Sequence, residues 1–219
     1  MIRKNDKRLI AIGDIHGCYD LLKTLVERRI MFRAETDHLV FLGDYIDREK
    51  KNREVVEYVS SLKRRYPEQI ILLKGNHEAM AYKALMNIEP ESLLNNAIVG
   101  WCLNGGFATV QSYGGLEKAK TALIPFIESL DHYHETDRHI FVHAGIPSNR
   151  DVKTATESEL LWDRSFSYRG EKTLIVGHTP SIGVAKVRNI VCVDTGACRT
   201  GILSAYDVLN DTTYEATTG

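Results

Sequence analysis

The run Leu9-Ile10-Ala11-Ile12-Gly13-Asp14-Ile15-His16-Gly17, with the stretch from Asp20 to Arg29 behind it, decides the fold. Four consecutive apolar residues read as a buried strand, and the glycine-flanked polar cluster as a tight loop. Leu21, Leu22, Leu25 and Val26 then recur at three and four positions, the spacing of one helix face. The same order returns twice. His38 to Leu42 runs into Gly43-Asp44-Tyr45-Ile46-Asp47-Arg48 and a helix-like Arg53 to Arg65, and Gln69 to Leu73 runs into Gly75-Asn76-His77-Glu78 and a helix-like His77 to Met86. Three strand, loop, helix units predict an α/β core with parallel strands.

Downstream the pattern changes. Between Glu89 and Thr136, Leu93 to Leu103 and Leu116 to Leu130 read as helices separated by Gly105, Gly106, Gly114 and Gly115, so a helical insertion is expected. His139 to Val142, Thr173 to Val176, Ile190 to Val193 and Ile202 to Val208 then read as strands with little helix between them. Alternating units followed by clustered strands imply two mixed β-sheets packed as a sandwich with helices outside. No repeat, low-complexity tract or linker breaks the chain, and residues 1–219 are read as one domain.

The 219 residues carry 28 Lys and Arg against 29 Asp and Glu, a net charge of −1, which speaks against nucleic acid as a partner. With 43% apolar and 26% charged residues the composition is that of an ordinary globular protein. Leu9 to Ile12 is far too short for a signal-sequence core or a membrane span, so a cytoplasmic protein with no membrane partner is expected. Cys18, Cys102, Cys192 and Cys198 include no C-x-x-C pair and suit free thiols in a reducing compartment, which also disfavours a Cys192–Cys198 bridge.

The chemistry sits in five polar clusters at the carboxyl ends of expected strands: Gly13-Asp14-Ile15-His16-Gly17, Gly43 to Arg48, Gly75-Asn76-His77-Glu78, His143-Ala144-Gly145 and Gly177-His178-Thr179. Open α/β sheets place ligands at that end. Singly, each has a bland reading, in which Asp or Asn caps the next helix and Gly makes the turn. Together they gather three Asp, one Asn and four His, an excess of metal ligands over turn residues. The donors are oxygen and nitrogen without thiolate, which favours Mn²⁺, Fe or Zn²⁺ in a catalytic site over a structural zinc. Asp14, His16, Asp44, Asn76, His143 and His178 suffice for two ions sharing one carboxylate. Paired ions activate a bridging water and clamp a phosphoryl group, so hydrolysis of phosphate esters is implied.

In order, these clusters resemble the GDxHG, GDxxDR, GNHE, HA(G) and GH motifs of the phosphoprotein phosphatase family of metallophosphatases, over Gly13 to Thr179. The compact length and Leu160-Leu161-Trp162-Asp163-Arg164 look most like its small bacterial and phage serine/threonine protein phosphatases. The resemblance implies a calcineurin-like sandwich. It implies Asp14 and His16 on a first metal, Asp44 bridging, and Asn76, His143 and His178 on a second, with Mn²⁺ the leading ion. It further implies His77 as general acid with Asp47 as its partner, and Arg48, Arg164 and Asn76 on the substrate phosphate. Phosphorylated proteins or peptides would be the substrates, attacked by hydroxide bridging the metals. Symmetrical hydrolysis of dinucleoside tetraphosphates uses the same motifs and is the alternative. A non-catalytic phosphate-sensing module is a third reading, set against the full complement of ligands, acid and partner.

One position departs from the family. Glu49 stands where a glycine usually follows the GDxxDR arginine, and a residue with a Cβ resists positive φ, so the loop beyond Arg48 is expected to differ. His38, His132, His134 and His139 are expected at the surface or at strand ends, and Arg28-Arg29 and Lys63-Arg64-Arg65 on solvated helix faces. Lys50, Lys51 and Arg53 could steer anionic substrates, and Trp101 and Trp162 either pack or wall the cleft.

Overall fold

The computed structural model describes residues 7–87, 96–147 and 150–218. Strand β1 (Arg8–Ile12) is followed by α1 (Tyr19–Thr24), which continues into a wider-turned segment Leu25–Ile30, then β2 (Asp37–Phe41), α2 (Asn52–Arg65), β3 (Ile70–Leu72) and α3 (Asn76–Met86). These are the three expected units, and β1–β2 and β2–β3 pair in parallel. Antiparallel β9 (Ile202–Asp207) and β10 (Thr212–Thr217) complete a sheet of order β10-β9-β1-β2-β3. The second sheet has the order β4-β5-β6-β8-β7, built from β4 (Tyr133–Glu135), β5 (His139–Val142), β6 (Thr173–Val176), β7 (Ala185–Val187) and β8 (Ile190–Cys192).

Both sheets are mixed and pack face to face, and the side-chain period of two explains how. Leu9 and Ala11 of β1 turn inward with Val40 and Ile71 to meet Phe141, Ile175 and Val191 of the second sheet. Ile10, Ile12, Leu39 and Phe41 turn the other way, into the layer of α1, α2 and α3. Ile140, Val142, Leu174 and Val176 do the same on the far side, against Leu160 of α7 (Glu157–Trp162). Parallel strands buried on both faces have no polar alternation, which is why they stood out as continuous apolar runs.

The insertion holds α4 (Asn96–Trp101), a π-helical turn Cys102–Gly106, α5 (Phe107–Tyr113) and α6 (Leu116–Glu128). The expected helix Leu93 to Leu103 is met from Asn96 into the π-helical turn, which leaves helical geometry only at Gly105 (φ 106°), and residues 93–95 lie outside the described residues. Helix α6 lies within the expected Leu116 to Leu130, and β4, α5, α7, α8 (Ala197–Thr200), β7 and β10 went unread in the sequence. Helix α7 did carry a signal: Thr156 and Glu159 form a reciprocal capping box. His38, second in β2, and His139, first in β5, are buried strand-end residues, within the expectation, and all four cysteines are free. No helix among the described residues is long and apolar enough to cross a membrane.

The loops leaving β2 and β3 touch so closely that two glycines are required. Gly43 has φ of +103°, and a Cβ there would sit 2.5 Å from the Gly75 nitrogen. Gly43→Ala should therefore cost about 3 kcal/mol or more in urea denaturation, combining overpacking with a disfavoured backbone. Gly183→Ala, where nothing lies within 4 Å, should stay within roughly 0.5 kcal/mol of wild type.

Candidate functional site

Every expected ligand lies at the carboxyl end of a strand: Asp14 and His16 after β1, Asp44 after β2, Asn76 after β3, His143 after β5 and His178 after β6. All six are buried. Asp14, Asp44, Asn76, His77 and His178 line a cavity of about 280 Å³ with Arg48, Arg164, Pro180 and Arg199. Strand ends alone do not aim side chains this well. Among the non-glycine residues with positive φ are His16 (46°), Asp44 (53°), Asp47 (76°), Arg48 (71°) and His178 (63°). Such left-handed backbone costs on the order of 1–3 kcal/mol per residue and concentrates where function requires it. Glu49 avoids positive φ, and its amide donates to the Asp47 carbonyl, so the left-handed turn is made by the two residues before it.

The opposing force comes from Glu78, whose role the sequence did not reveal. Its buried carboxylate accepts from the amides of Asp44 (2.8 Å), Tyr45 (2.9 Å), Ile46 (3.3 Å) and Gly75 (2.9 Å). Burial, with Asp44 nearby, pushes this carboxyl up to about 8.

The imidazoles show which atoms are free to ligate. His16 Nδ1 donates to the Ile46 carbonyl at 2.8 Å, leaving Nε2 buried with no hydrogen-bond partner. His178 Nε2 is likewise unpartnered. His143 Nδ1 donates to the Leu42 carbonyl, so its Nε2 bears only a lone pair, and that lone pair faces Asn76 Oδ1 at 2.8 Å. Two lone pairs at that distance repel unless a cation lies among them. Asp14, Asp44 and Asp194 are all buried around the same point, and among the described residues the only Lys or Arg side chains lining the cavity are the three exposed arginines. Burial, then the neighbouring carboxylates, raises Asp14 well above the usual carboxylate range, and burial raises Asp194. Burial lowers His143 and, with His143 beside it, takes His178 down to about 3, keeping both neutral. An oxygen and imidazole donor set with surplus buried anionic charge fits divalent cations. His16, Asp44 and His77 form one group with ligand atoms within 4.8 Å, and Asp44, His143 and His178 another, so Asp44 is shared.

His77 is otherwise engaged. Its Nδ1 lies 2.7 Å from Asp47 Oδ2, and its Nε2 lies 3.0 Å from Arg48 Nη2. Asp47 is fully buried and further held by the Trp101 indole N–H, 3.0 Å from each oxygen, and by the Thr109 hydroxyl at 2.6 Å. Trp101 therefore packs and also anchors the pair. Trp162 is 46% exposed and makes a T-shaped contact with the His178 ring at 5.9 Å, beside the cavity but not lining it. Lys50, Lys51 and Arg53 do not line the cavity, and Lys51 and Arg53 are paired with Asp20 and Glu57, whereas Arg199 does line it. Asp194 and Arg199 were both missed, although Ile190 to Val193 followed by Asp194-Thr195-Gly196 repeats the strand-then-cluster pattern of the other five.

Strand ends, inward carboxylates and imidazoles, and arginines at the mouth define a metal-dependent phosphoesterase. The chain belongs to the calcineurin-like phosphoesterase family, whose model matches residues 7–207. It is similar to serine/threonine-protein phosphatase 2 of Salmonella typhimurium, 28% identical over 218 residues, covering 92% of this chain and 93% of that one. It is also similar to the symmetrical bis(5'-nucleosyl)-tetraphosphatase of Buchnera aphidicola, 38% identical over 90 residues, 40% of this chain and 31% of that one. A crystal structure provisionally named a diadenosine tetraphosphatase shares the fold with a TM-score of 0.72 at 19% identity, covering 100% of this chain and 96% of that one.

Glu78→Gln keeps the side-chain shape but turns an amide NH₂ toward backbone N–H donors. It should lower stability by about 2–3 kcal/mol in chemical denaturation and weaken Mn²⁺ binding measured by calorimetry.

Proposed function

We propose that this hydrolase is a phosphomonoesterase that removes phosphate from phosphoserine and phosphothreonine of proteins or peptides. The observation that carries the reading is the buried His77–Asp47 pair, with Nε2 turned into the cavity beside Arg48. A seryl or threonyl oxygen leaves as a strongly basic alkoxide and needs a proton, whereas a phosphoanhydride leaves as a phosphate and needs little help. A cavity of about 280 Å³ also suits a phosphorylated side chain better than a dinucleotide held at both ends. The full-length likeness to serine/threonine-protein phosphatase 2 points the same way.

Two divalent ions, one held by Asp14, His16 and Asp44 and one by Asp44, Asn76, His143 and His178, would supply Lewis-acid charge and water activation. Mn²⁺ is our leading ion, since imidazole ligands suit it better than Mg²⁺. Arg48 and Arg164 reach the phosphate oxygens with planar forks that lysine cannot reproduce, and the Asn76 amide group adds a contact. His77 delivers its proton from Nε2 to the departing oxygen. Burial lowers the His77 pKa, but Asp44 and Asp47 more than offset it, so the ring holds its proton above the usual imidazole range. The second reading is symmetrical hydrolysis of dinucleoside tetraphosphates, favoured by the 38% identical stretch and by Arg199 as a third cation.

His77→Asn should reduce turnover of a phosphoserine peptide about 10²–10⁴-fold and that of p-nitrophenyl phosphate far less. In the wild type, peptide turnover should fall as pH rises through the raised His77 pKa, because the acid form is lost there. Equal losses on both substrates would remove His77 from the role of acid.

Chelation to metal content below detection should abolish activity, and Mn²⁺ should restore it more fully than Mg²⁺. On the restored enzyme, kcat/KM for the phosphoserine peptide should exceed that for diadenosine tetraphosphate. Faster release of ADP from the dinucleotide would transfer the site to the second reading.

A further inference from the structure

The helical layer contains a second cavity, of about 660 Å³, that shares no lining residue with the phosphate site. Helices α2 and α6 both pack against α5 and scarcely against each other, which leaves a trough between them. From α2, Arg53, Val56, Ser60 and Arg64 face it at three- and four-residue spacing. From α6, Lys118, Ala122 and Phe126 face it in the same way, and Leu72 of β3 lies beneath. The volume lies within the range of small-molecule sites, which are commonly apolar with a few placed polar groups.

We propose that this trough binds a small amphiphilic anion, with an aliphatic or aromatic body and one carboxylate, sulfonate or phosphate head. Val56, Leu72 and Phe126 give it apolar walls. Four cations line it against a single carboxylate, Glu57. Arg53 is paired with Glu57, and Lys63 donates to the carbonyls of Pro67 and Ile70. Arg64 and Lys118 are exposed and have no ion-pair partner among the described residues. They are the positive charge left for a ligand's head.

A separate observation marks the same place. Tyr113, only 8% exposed, closes the trough from α5, and its hydroxyl is buried without any hydrogen-bond partner. A buried unpaired hydroxyl is costly, and an anionic oxygen entering the trough would accept from it. Apolar walls, unpaired cations and an unused donor together select an anionic head on an apolar body over a cationic or a neutral one.

The test is calorimetric titration of the full chain with octanoate, octylammonium and octanol, each below its aggregation threshold. Octanoate should bind one per chain with Kd of roughly 0.1–1 mM, given the affinity accessible to so few atoms. Octylammonium and octanol should bind at least tenfold more weakly. Ala122 is exposed, so Ala122→Trp can fill the trough without disturbing the core, and it should weaken octanoate binding more than tenfold. Lys118→Glu should weaken it about fivefold, and Tyr113→Phe about threefold. Far-ultraviolet circular dichroism and p-nitrophenyl phosphate turnover should be unchanged in Ala122→Trp and Lys118→Glu. No octanoate binding, equal binding of octylammonium, or octanoate binding indifferent to Ala122→Trp would overturn the proposal. So would capture of an acidic peptide in place of octanoate, which would make the trough a protein-docking surface.

Discussion

One buried carboxylate holds the two central loops in register. Glu78 takes four backbone amides, three from the loop after β2 and one from the loop before α3. Such hydrogen bonds contribute about 0.5–1.5 kcal/mol each, and four together are comparable to the cost of the left-handed residues they restrain. Asp44, at φ of 53°, then accepts from the His77 amide at 3.0 Å, so the Asp44 carboxylate and the His77 backbone are fixed to each other. The two-glycine contact between these loops exists because Glu78 draws them together.

With geometry fixed, the electrostatics separates the imidazoles by role. His143 and His178 lose basicity through burial and stay available as lone-pair donors. His143, His77 and His16 hold Asp44 well below the usual carboxylate range against the effect of its burial. His77 moves the other way because Asp44 and Asp47 raise it more than burial lowers it, and Trp101, Thr109 and His77 between them occupy both oxygens of the fully buried Asp47. One site thus holds imidazoles of lowered and of raised basicity, the ligands and the acid on the proposed reading, distinguished by what surrounds each ring.

The strands were legible because parallel strands buried on both faces cannot hide their composition, and the ligands because each follows its strand within four residues. Asp194 was equally legible by that rule and was passed over because its Asp-Thr-Gly cluster lacks a histidine. Glu78, Trp101 and Thr109 were not legible in the same sense. Trp101 and Thr109 reach Asp47 across 54 and 62 residues, and only the packing of α4 and α5 brings them there. The short helices α5, α7 and α8 follow glycines or a capping box, whose periodicity over four to seven residues is too brief to register. At Glu49, a departure from the family's glycine warned of an altered loop, and the backbone shows the strain carried by Asp47 and Arg48.

That strained pair also links binding to acid catalysis. Arg48 extends from a left-handed residue adjacent to Asp47, and its guanidinium reaches the nitrogen from which His77 would give its proton. A guanidinium can only donate, so that contact opposes a proton on Nε2, and Arg48 lowers the His77 pKa against Asp44 and Asp47, which raise it. A phosphate dianion in the cavity is a far stronger acceptor for the same N–H groups. On the reading proposed above, drawing Arg48 onto the phosphate removes that opposition, so the substrate that needs the acid also tightens the hold of His77 on its proton.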